Sequence, residues 1–184
     1  MKHLALYVVK AGAYAIPVYI DGNGQIWVLT AIRTDKENKE YDGLIEIVAE
    51  TKKLDESILE TARRGVLEED GPNAKIVHIL GANGQPAIPE KYHTSDRYEQ
   101  EIILPYCGFN SIGGNIQLIS HCFIVVLAEK NYPPPNREAK YHTWWLAADL
   151  LILAREYPDC FSFTYGFMRR VLEDLDSRKL KINR

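Results

Sequence analysis

Charged side chains recur along residues 56–71 at intervals that suit the surface of a helix. Four of them are four positions apart: Glu56, Glu60, Arg64 and Glu68. Residues at this spacing lie along one side of a helix, so Arg64 is expected to pair with Glu60 and with Glu68. Glu68 and Glu69 lie about 100° apart around the helix and are expected to flank a common strip of surface. Two carboxylates on a rigid helix suit a hard divalent cation such as Mg²⁺, which also binds substrate phosphates.

The same segment carries the start and stop signals of a helix over residues 56–70. Asp55 is the expected N-cap, and the run Asp70-Gly71-Pro72 supplies a glycine after the last turn and a proline that cannot continue the helix. Four apolar residues recur on one face at about 100° per residue: Ile58, Leu59, Ala62 and Val66. We therefore expect this face to be buried and the charged side, opposite it, to face outward.

Strand and helix patterns surround this central helix. Strands are predicted at residues 4–9, 13–20, 25–33, 44–49, 75–81, 117–128 and 143–146, and helices at 147–156 and 164–177. Asp21-Gly22-Asn23-Gly24 predicts a tight hairpin turn, whereas the polar residues 82–101, with Pro86 and Pro89, predict a long loop. The predicted order is strands, one helix, more strands and then helices. This order is expected of a layered α+β or α/β domain.

Length and charge restrict the class of protein. With 184 residues, the chain is expected to form a single domain, residues 1–184. The 46% hydrophobic and 26% charged residues are ordinary for a globular protein and argue against disorder of the whole chain. The 22 basic and 25 acidic residues give a formal net charge of -3, which supplies no field attractive to polyanions. No nucleic acid polymer is therefore expected as a partner.

The cysteines and the apolar runs predict the environment of the chain. Cys107, Cys122 and Cys160 are too few and too scattered for a disulfide framework or a zinc site, so free thiols in a reducing compartment are expected. Residues 1–9 lack the apolar stretch of a signal peptide, and no run of about 18 apolar residues predicts a membrane span. We expect a cytoplasmic protein with no membrane partner.

The acidic segment resembles the signature of the Nudix hydrolases, G-x5-E-x7-R-E-U-x-E-E-x-G-U, in which U is a bulky aliphatic residue. The matching residues are Glu56, Arg64, Val66, Glu68, Glu69 and Gly71. Upstream, Glu46 and Ala49 look like the E-x-x-A of the ADP-ribose pyrophosphatase branch, and residues 144–150 resemble the strand and short helix that follow the family's third sheet segment. The resemblance covers nearly the whole chain and implies a Nudix-type α/β/α sandwich with a mixed central sheet.

Four positions depart from the family's pattern. The opening glycine is Glu50, the glycine before the first glutamate is Asp55, the last aliphatic residue is Pro72, and the glutamate after the arginine is Gly65. In the family, the glutamate that is missing at position 65 supplies a metal-binding or water-activating carboxylate. On a helical wheel Gly65 falls between Glu68 and Glu69, so the missing carboxylate leaves the middle of the acidic cluster empty. Glycine within a helix also costs about 1 kcal/mol relative to alanine.

The resemblance implies hydrolysis of a nucleoside diphosphate linked to another moiety, with Mg²⁺ or Mn²⁺ as the cofactor. The candidate catalytic residues are Glu56, Arg64, Glu68 and Glu69, and Arg64 is expected to position the glutamates by pairing. The candidate metal ligands are Glu68, Glu69 and Glu138, and the candidate substrate-binding residues are Arg33, Glu46, Glu50 and Tyr98. The similarity at Glu46 and Ala49 favours a nucleotide sugar such as ADP-ribose as the small-molecule substrate, and a homodimer through the N-terminal strands stays open.

Three accounts of the missing carboxylate stay open. In the first, the protein is an active hydrolase in which another carboxylate takes the role: Glu50 or Glu138, with Glu99 and Glu101 as weaker candidates. In the second, the fold is retained, catalysis is impaired or lost, and the domain binds a nucleotide or a partner protein. In the third, the similarity is architectural only, and the helix is a structural element with a solvated charged face.

Overall fold

A mixed eight-stranded sheet and three helices make up most of the described part of the computed structural model. The structure describes residues 8–37, 39–88, 90–93, 99–113, 116–135 and 139–182. The strands are β1 (Val8–Ile20), β2 (Ile26–Arg33), β3 (Ile45–Glu46), β4 (Val48–Thr51), β5 (Ile76–Leu80), β6 (Glu90–His93), β7 (Glu99–Ile102), β8 (Cys107–Gly113), β9 (Ile116–Leu127) and β10 (Ala139–Leu146). The helices are α1 (Ile58–Glu69), α2 (Ala147–Glu156) and α3 (Tyr165–Asp176), and short 3₁₀ turns occupy Ala82–Gly84 and Pro158–Cys160.

Parallel and antiparallel strand pairs together build the central sheet. Its strand order is β10-β2-β1-β9-β5, with β3 paired to β2, β4 to β1 and β8 to β9. β1 and β9 run parallel, from Val8 opposite Ile116 to Tyr19 opposite Leu127. The other pairs are antiparallel, and β6 and β7 form a separate two-stranded ribbon. The prediction of a mixed central sheet is confirmed.

The two faces of the sheet pack against different helices. On one face, Ala62 and Val66 of α1 share a buried cluster with Phe123 and Val125 of β9. The other face packs against α2 and α3 through a second buried cluster, which includes Ile16, Val28, Ile124, Leu150, Phe167 and Leu172. Helices therefore cover both faces of the sheet, and the predicted α/β/α sandwich is confirmed.

Helix α1 begins with Ser57, and not Asp55, as its N-cap. The Ser57 hydroxyl accepts a hydrogen bond from the N–H of Glu60 at 3.2 Å, and the Glu60 carboxylate accepts one from the N–H of Ser57 at 2.6 Å. The predicted N-cap is wrong because this capping box satisfies two N–H groups reciprocally. The predicted end of the helix is confirmed, since Gly71 follows the C-cap with a φ of 100°, a conformation that favours glycine.

The strand predictions agree with the structure to different degrees. β2, β5 and β9 lie where their apolar patterns place them, whereas residues 8–20 form one strand where two are predicted. The predicted loop at residues 82–101 contains β6 and most of β7. β8 has no counterpart in the sequence prediction, because its residues Cys-Gly-Phe-Asn-Ser-Ile-Gly are mostly small or polar and do not alternate as a strand would.

The described cysteines are free thiols, as the sequence predicts. Cys107 on β8 lies directly opposite Cys122 on β9. Among the helices that the structure describes, none combines the length and the apolar character that crossing a membrane requires.

Candidate active site

Strand β4 brings the side chain of Glu50 beside helix α1. β4 is antiparallel to β1, with Glu50 opposite Ala13 and Val48 opposite Ala15. Helix α1 packs across both β1 and β4. Glu50 and Arg64, which are 14 residues apart in sequence, thereby become neighbours.

Arg64 is the centre of this acidic cluster. Its Nε and Nη2 donate to the two carboxylate oxygens of Glu56 at 3.1 and 2.9 Å. Its Nη1 donates to Glu50 at 2.9 Å and to Glu68 at 3.0 Å, and Nη2 also donates to the carbonyl of Thr51 at 2.9 Å. These bonds use all five N–H donors of the guanidinium. Arg64 therefore fixes the positions of three carboxylates, and it can contact a substrate phosphate only by giving up one of these bonds.

The contacts with Arg64 change the acidity of the paired groups. Hydrogen bonds from Arg64 and from the N–H of Lys53 lower the pKa of Glu56 to about 2. The hydrogen bond to Glu56 and the nearby carboxylate of Glu50 raise the pKa of Arg64 further above its already high value. Glu56 and Arg64 are consequently both ionised at neutral pH.

Glu68 and Glu60 differ in their relation to Arg64. The predicted pair between Arg64 and Glu68 is confirmed. The predicted pair with Glu60 is wrong, because Glu60 caps the helix and the donors of Arg64 are used elsewhere. The Glu68 side chain is 52% exposed, and its second carboxylate oxygen lies 4.0 Å from Nζ of Lys53. Glu68 can therefore reach a ligand that approaches from solvent.

Glu69 occupies a different environment from Glu68. It is half-buried, and burial raises the pKa of its carboxyl group well above the usual range. The charges of Asp70, Glu46 and Glu50 raise this pKa further, while a hydrogen bond from the N–H of Ala49 lowers it. Glu69 is thus turned toward β3 and β4, and the two adjacent glutamates do not simply flank one exposed strip of helix.

Gly65 is buried, and the space that a side chain would occupy there is already filled. A Cβ atom at this position would lie 2.6 Å from Cγ of Glu50 and 2.7 Å from Cγ1 of Val48. Both distances are far below van der Waals contact, so any side chain at position 65 would require its neighbours to move. The side chain of Glu50 therefore lies where the side chain missing from the helix would begin.

Arg33 belongs to a second charged group, at the end of β2. Its guanidinium donates to Glu46 at 3.1 Å and to Asp35 at 3.0 Å, and only 6% of the Glu46 side chain is exposed. The guanidinium carbon also lies 5.4 Å from the ring centroid of Phe163, within range of a cation–π contact. Arg33 and Glu46, both predicted to bind substrate, are thus bound to each other.

A cleft of about 580 Å³ lies beside the second charged group. Its lining includes Arg33, Asp35, Lys36, Glu37 and Phe163, together with Ala49 and Thr51. Thr51 relates the cleft to the acidic cluster, since its carbonyl accepts a hydrogen bond from Arg64, whereas the carboxylates around Arg64 do not themselves line the cleft. Phe163 has no signal in the sequence, because it meets Arg33 only through the fold and no motif marks the segment around it.

Several predicted site residues are outside this cluster. Glu138 and Tyr98 lie outside the described residues, and the structure describes no side chain for Glu99 or Glu101. A different cleft of about 640 Å³, lined in part by Tyr106 and Arg170, contains none of the acidic residues around Arg64.

The acidic cluster suits a divalent cation in the chemistry of its donors. Mg²⁺ and Mn²⁺ prefer carboxylate oxygens such as those of Glu50, Glu68 and Glu69. A cation would also offset the repulsion and the burial that oppose ionisation of Glu69. Within the residues that the structure describes, no three acidic, histidine or cysteine side chains are gathered as a complete ligand set. The donors therefore fit the ion in type, and binding it requires some of them to move closer together.

Sequence comparisons and structure comparisons give different results. No family model and no curated protein matches the chain in sequence. A Nudix hydrolase from M. smegmatis, RenU, is 14% identical, with a TM-score of 0.56 over 97% of this chain and 92% of that protein. The Nudix domain of Shewanella oneidensis NrtR, solved in complex with ADP ribose, is 13% identical, with a TM-score of 0.54 over 97% of this chain and 93% of that domain.

A third solved structure agrees with these two. A Nudix hydrolase from Alicyclobacillus acidocaldarius is 13% identical, with a TM-score of 0.55 over 97% of this chain and all of that protein. The chain therefore has the Nudix fold, as its resemblance to the signature implies.

Proposed function

We propose that the protein is a divalent-cation-dependent hydrolase of a nucleoside diphosphate linked to another moiety. The observation that supports this proposal is the arrangement around Arg64. One guanidinium holds Glu50, Glu56 and Glu68 in place beside the half-buried Glu69. Thr51, whose carbonyl accepts a hydrogen bond from Arg64, also lines a neighbouring cleft that is large enough for part of a nucleotide.

Each residue of the cluster has a distinct role in this proposal. Glu68 and Glu69 would hold Mg²⁺ once their carboxylates are drawn together, and Glu138 stays a further candidate ligand from the sequence. The bound ion would neutralise the pyrophosphate charge and lower the pKa of a water ligand. Arg64 positions Glu68, and Glu56 in turn fixes the guanidinium of Arg64.

A nucleotide sugar such as ADP-ribose is the substrate class that we favour. Phe163 is 44% exposed beside the cleft and offers a ring face for a base or sugar. Lys36 lines the same cleft, together with Asp35 and Glu37, and its ammonium group is the one that we propose to contact a phosphate. The NrtR domain of the same fold was solved in complex with ADP ribose, which supports a small nucleotide derivative as the ligand.

Hydrolysis assays test this proposal. We expect ADP-ribose or another nucleotide sugar to be hydrolysed in the presence of Mg²⁺ or Mn²⁺, in a panel that includes dinucleoside polyphosphates and nucleoside triphosphates. Glu68→Gln and Glu69→Gln should each reduce the rate by about 100-fold or more, because each removes a charged ligand. Glu60→Gln is the matched control and should keep the parent rate, since glutamine also completes a capping box. Cation-dependent turnover that survives both substitutions would contradict this assignment of the site.

Nucleotide binding without catalysis is the second candidate function. Two observations favour it: position 65 has no carboxylate, and Arg64 already neutralises much of the charge on Glu50 and Glu68. In that case no substrate is turned over, while ADP-ribose still raises the melting temperature of the protein.

A further inference from the structure

Glu50 and Gly65 are complementary in shape. The Cγ of Glu50 lies within 2.6 Å of the point that a Cβ at position 65 would occupy. Gly65 is buried in the interior of α1, where glycine weakens a helix by about 1 kcal/mol relative to alanine. The structure explains this glycine, because the side chain of Glu50 occupies the space beside α1 that any side chain at position 65 would need.

The carboxylate of Glu50 is held next to that of Glu68. Nη1 of Arg64 donates to one oxygen of Glu50 and to one oxygen of Glu68. Arg64 contacts only one oxygen of each carboxylate, so each carboxylate can accept a further ligand through its other oxygen. The side chains of Glu50 and Arg64 are 17% and 18% exposed, which keeps the pair partly shielded from water.

The strand that carries Glu50 also contacts Glu69. The N–H of Ala49 donates a hydrogen bond to the Glu69 carboxylate, and Glu50 follows Ala49 on β4. Glu50 is thus next to Glu68 through Arg64 and one residue from the contact with Glu69, near the place where a side chain at position 65 would fall on the helical wheel. Relative to the signature, a glycine and a glutamate have changed places. Position 50 carries a glutamate where the signature has glycine, and position 65 carries a glycine where the signature has glutamate.

We propose that the Glu50 carboxylate, delivered from strand β4 across Gly65, is a ligand of the divalent cation in place of the absent helix glutamate. This inference rests on the proposed function, since it assumes that the acidic cluster binds a cation. It assigns to Glu50 a direct contact with the ion, and not only a structural pair with Arg64.

Direct binding of Mn²⁺ to the full chain tests this assignment without any substrate. The signal of free Mn²⁺ in electron paramagnetic resonance gives the affinity of the parent protein and of each variant. We expect Glu50→Gln to weaken Mn²⁺ binding by about tenfold or more, as Glu69→Gln also should. Glu60→Gln changes the same chemical group on the exposed side of α1 and should bind Mn²⁺ as the parent does.

A second measurement separates a ligand from a residue that only positions other groups. When a protein ligand is lost, water takes its place on the metal, so Mn²⁺ bound to Glu50→Ala should carry one more water than Mn²⁺ bound to the parent. Line broadening of the bound Mn²⁺ signal in ¹⁷O-enriched water reports this number. Weaker binding with an unchanged number of waters would show that Glu50 acts only through Arg64, and would overturn the assignment.

The remaining outcomes distinguish this inference from the proposed function. If Glu69→Gln weakens Mn²⁺ binding and Glu50→Gln does not, Glu50 is not a ligand, while the proposed function stands. If the parent binds no Mn²⁺ at millimolar concentration, both the inference and a cation-dependent reaction are wrong. The melting temperature of each variant without Mn²⁺ reports its folding, and if Glu50→Gln does not fold, Glu50→Asp gives the same readout with the charge kept and the carboxylate drawn back by one methylene.

Discussion

At the scale of single residues, the geometry of the guanidinium determines how the acidic cluster is held. Arg64 contacts both oxygens of Glu56 and one oxygen each of Glu50 and Glu68. A lysine at this position would be a single point charge and could not hold three carboxylates in fixed directions. An isolated ion pair near the surface contributes little to stability. Here three carboxylates share one guanidinium, and the main effect of this network is to fix the positions of the carboxylates.

The low pKa of Glu56 predicts a change in stability with pH. Hydrogen bonds from Arg64 and from the N–H of Lys53 hold this pKa at about 2 in the folded state, against 4.5 when the residue is unperturbed. A lowered folded pKa means that the contribution of Glu56 is complete above pH 4.5 and is lost as the pH falls from 4.5 through 2. We expect Glu56→Gln to be less stable than the parent at pH 7, and the difference to shrink below pH 4.5.

Urea unfolding midpoints of the two proteins between pH 7 and pH 3 measure this difference. Glu156→Gln serves as the control, because Glu156 is exposed at the end of α2, which packs on the other face of the sheet from Arg64. A difference between parent and Glu56→Gln that stays constant down to pH 3 would mean that Glu56 is not held in its charged form by Arg64.

The sequence predicts the local part of this cluster and misses the part that depends on the fold. The spacing of Arg64 and Glu68 along the helix is enough to predict their pair. The contacts of Glu50 with Gly65 and with Arg64 join two elements, and no helical or strand period describes them. The burial of Glu69 likewise depends on β3 and β4, which a helical wheel does not represent.

At the scale of elements, Gly65 is a position where α1 packs directly against side chains of β4. Helix propensity alone predicts that Gly65→Ala stabilises the protein by about 1 kcal/mol. The added Cβ, however, would lie 2.7 Å from Cγ1 of Val48 and 2.6 Å from Cγ of Glu50. Overpacking of this kind costs about 1–3 kcal/mol. We therefore expect Gly65→Ala to lower the free energy of unfolding, as measured by urea denaturation.

A double-mutant cycle tests whether Glu50 causes this cost. Glu50→Ala removes the Cγ atom that the new Cβ would meet, so Gly65→Ala should cost less in that background, with a coupling of about 0.5–3 kcal/mol. Glu60→Ala, on the opposite side of the helix from Gly65, is the matched background and should leave the cost unchanged. Equal costs in the two backgrounds would show that Val48 alone limits the space at position 65.

The elements that the sequence predicts well are those whose apolar pattern follows directly from burial. The apolar stripe of α1 reflects burial of one face, and the continuous apolar run of β9 reflects burial of both faces of the strand. β8 has no such pattern, because its residues are mostly small or polar and do not alternate, so its place in the sheet is known from its backbone pairing with β9. Residue type alone predicts Asp55 as the N-cap of α1, whereas the reciprocal hydrogen bonds between Ser57 and Glu60 place the N-cap at Ser57.

At the scale of the whole molecule, the proposed cation site exists only when the fold is complete. Its candidate ligands come from β4 and α1, and β4 is held in place by antiparallel pairing with β1 in the centre of the sheet. β1 also pairs with β9. Because side chains of β1 lie in the buried clusters on both faces of the sheet, the site depends on the packing of both faces. An ion that binds this site therefore binds the folded state and stabilises the entire domain.

This linkage predicts that Mg²⁺ raises the melting temperature. At a free Mg²⁺ concentration 100 times its dissociation constant, binding adds about 2.7 kcal/mol, which for a domain of this size corresponds to a rise of about 5–10 °C. Sodium chloride at equal ionic strength is the control for general screening of the acidic charges. Glu69→Gln should abolish most of the rise, because it removes one proposed ligand and also the repulsion that the cation offsets. If Glu69→Gln is stabilised by Mg²⁺ as much as the parent, the ion binds elsewhere on the protein, and the catalytic roles proposed for Glu68 and Glu69 fail with it.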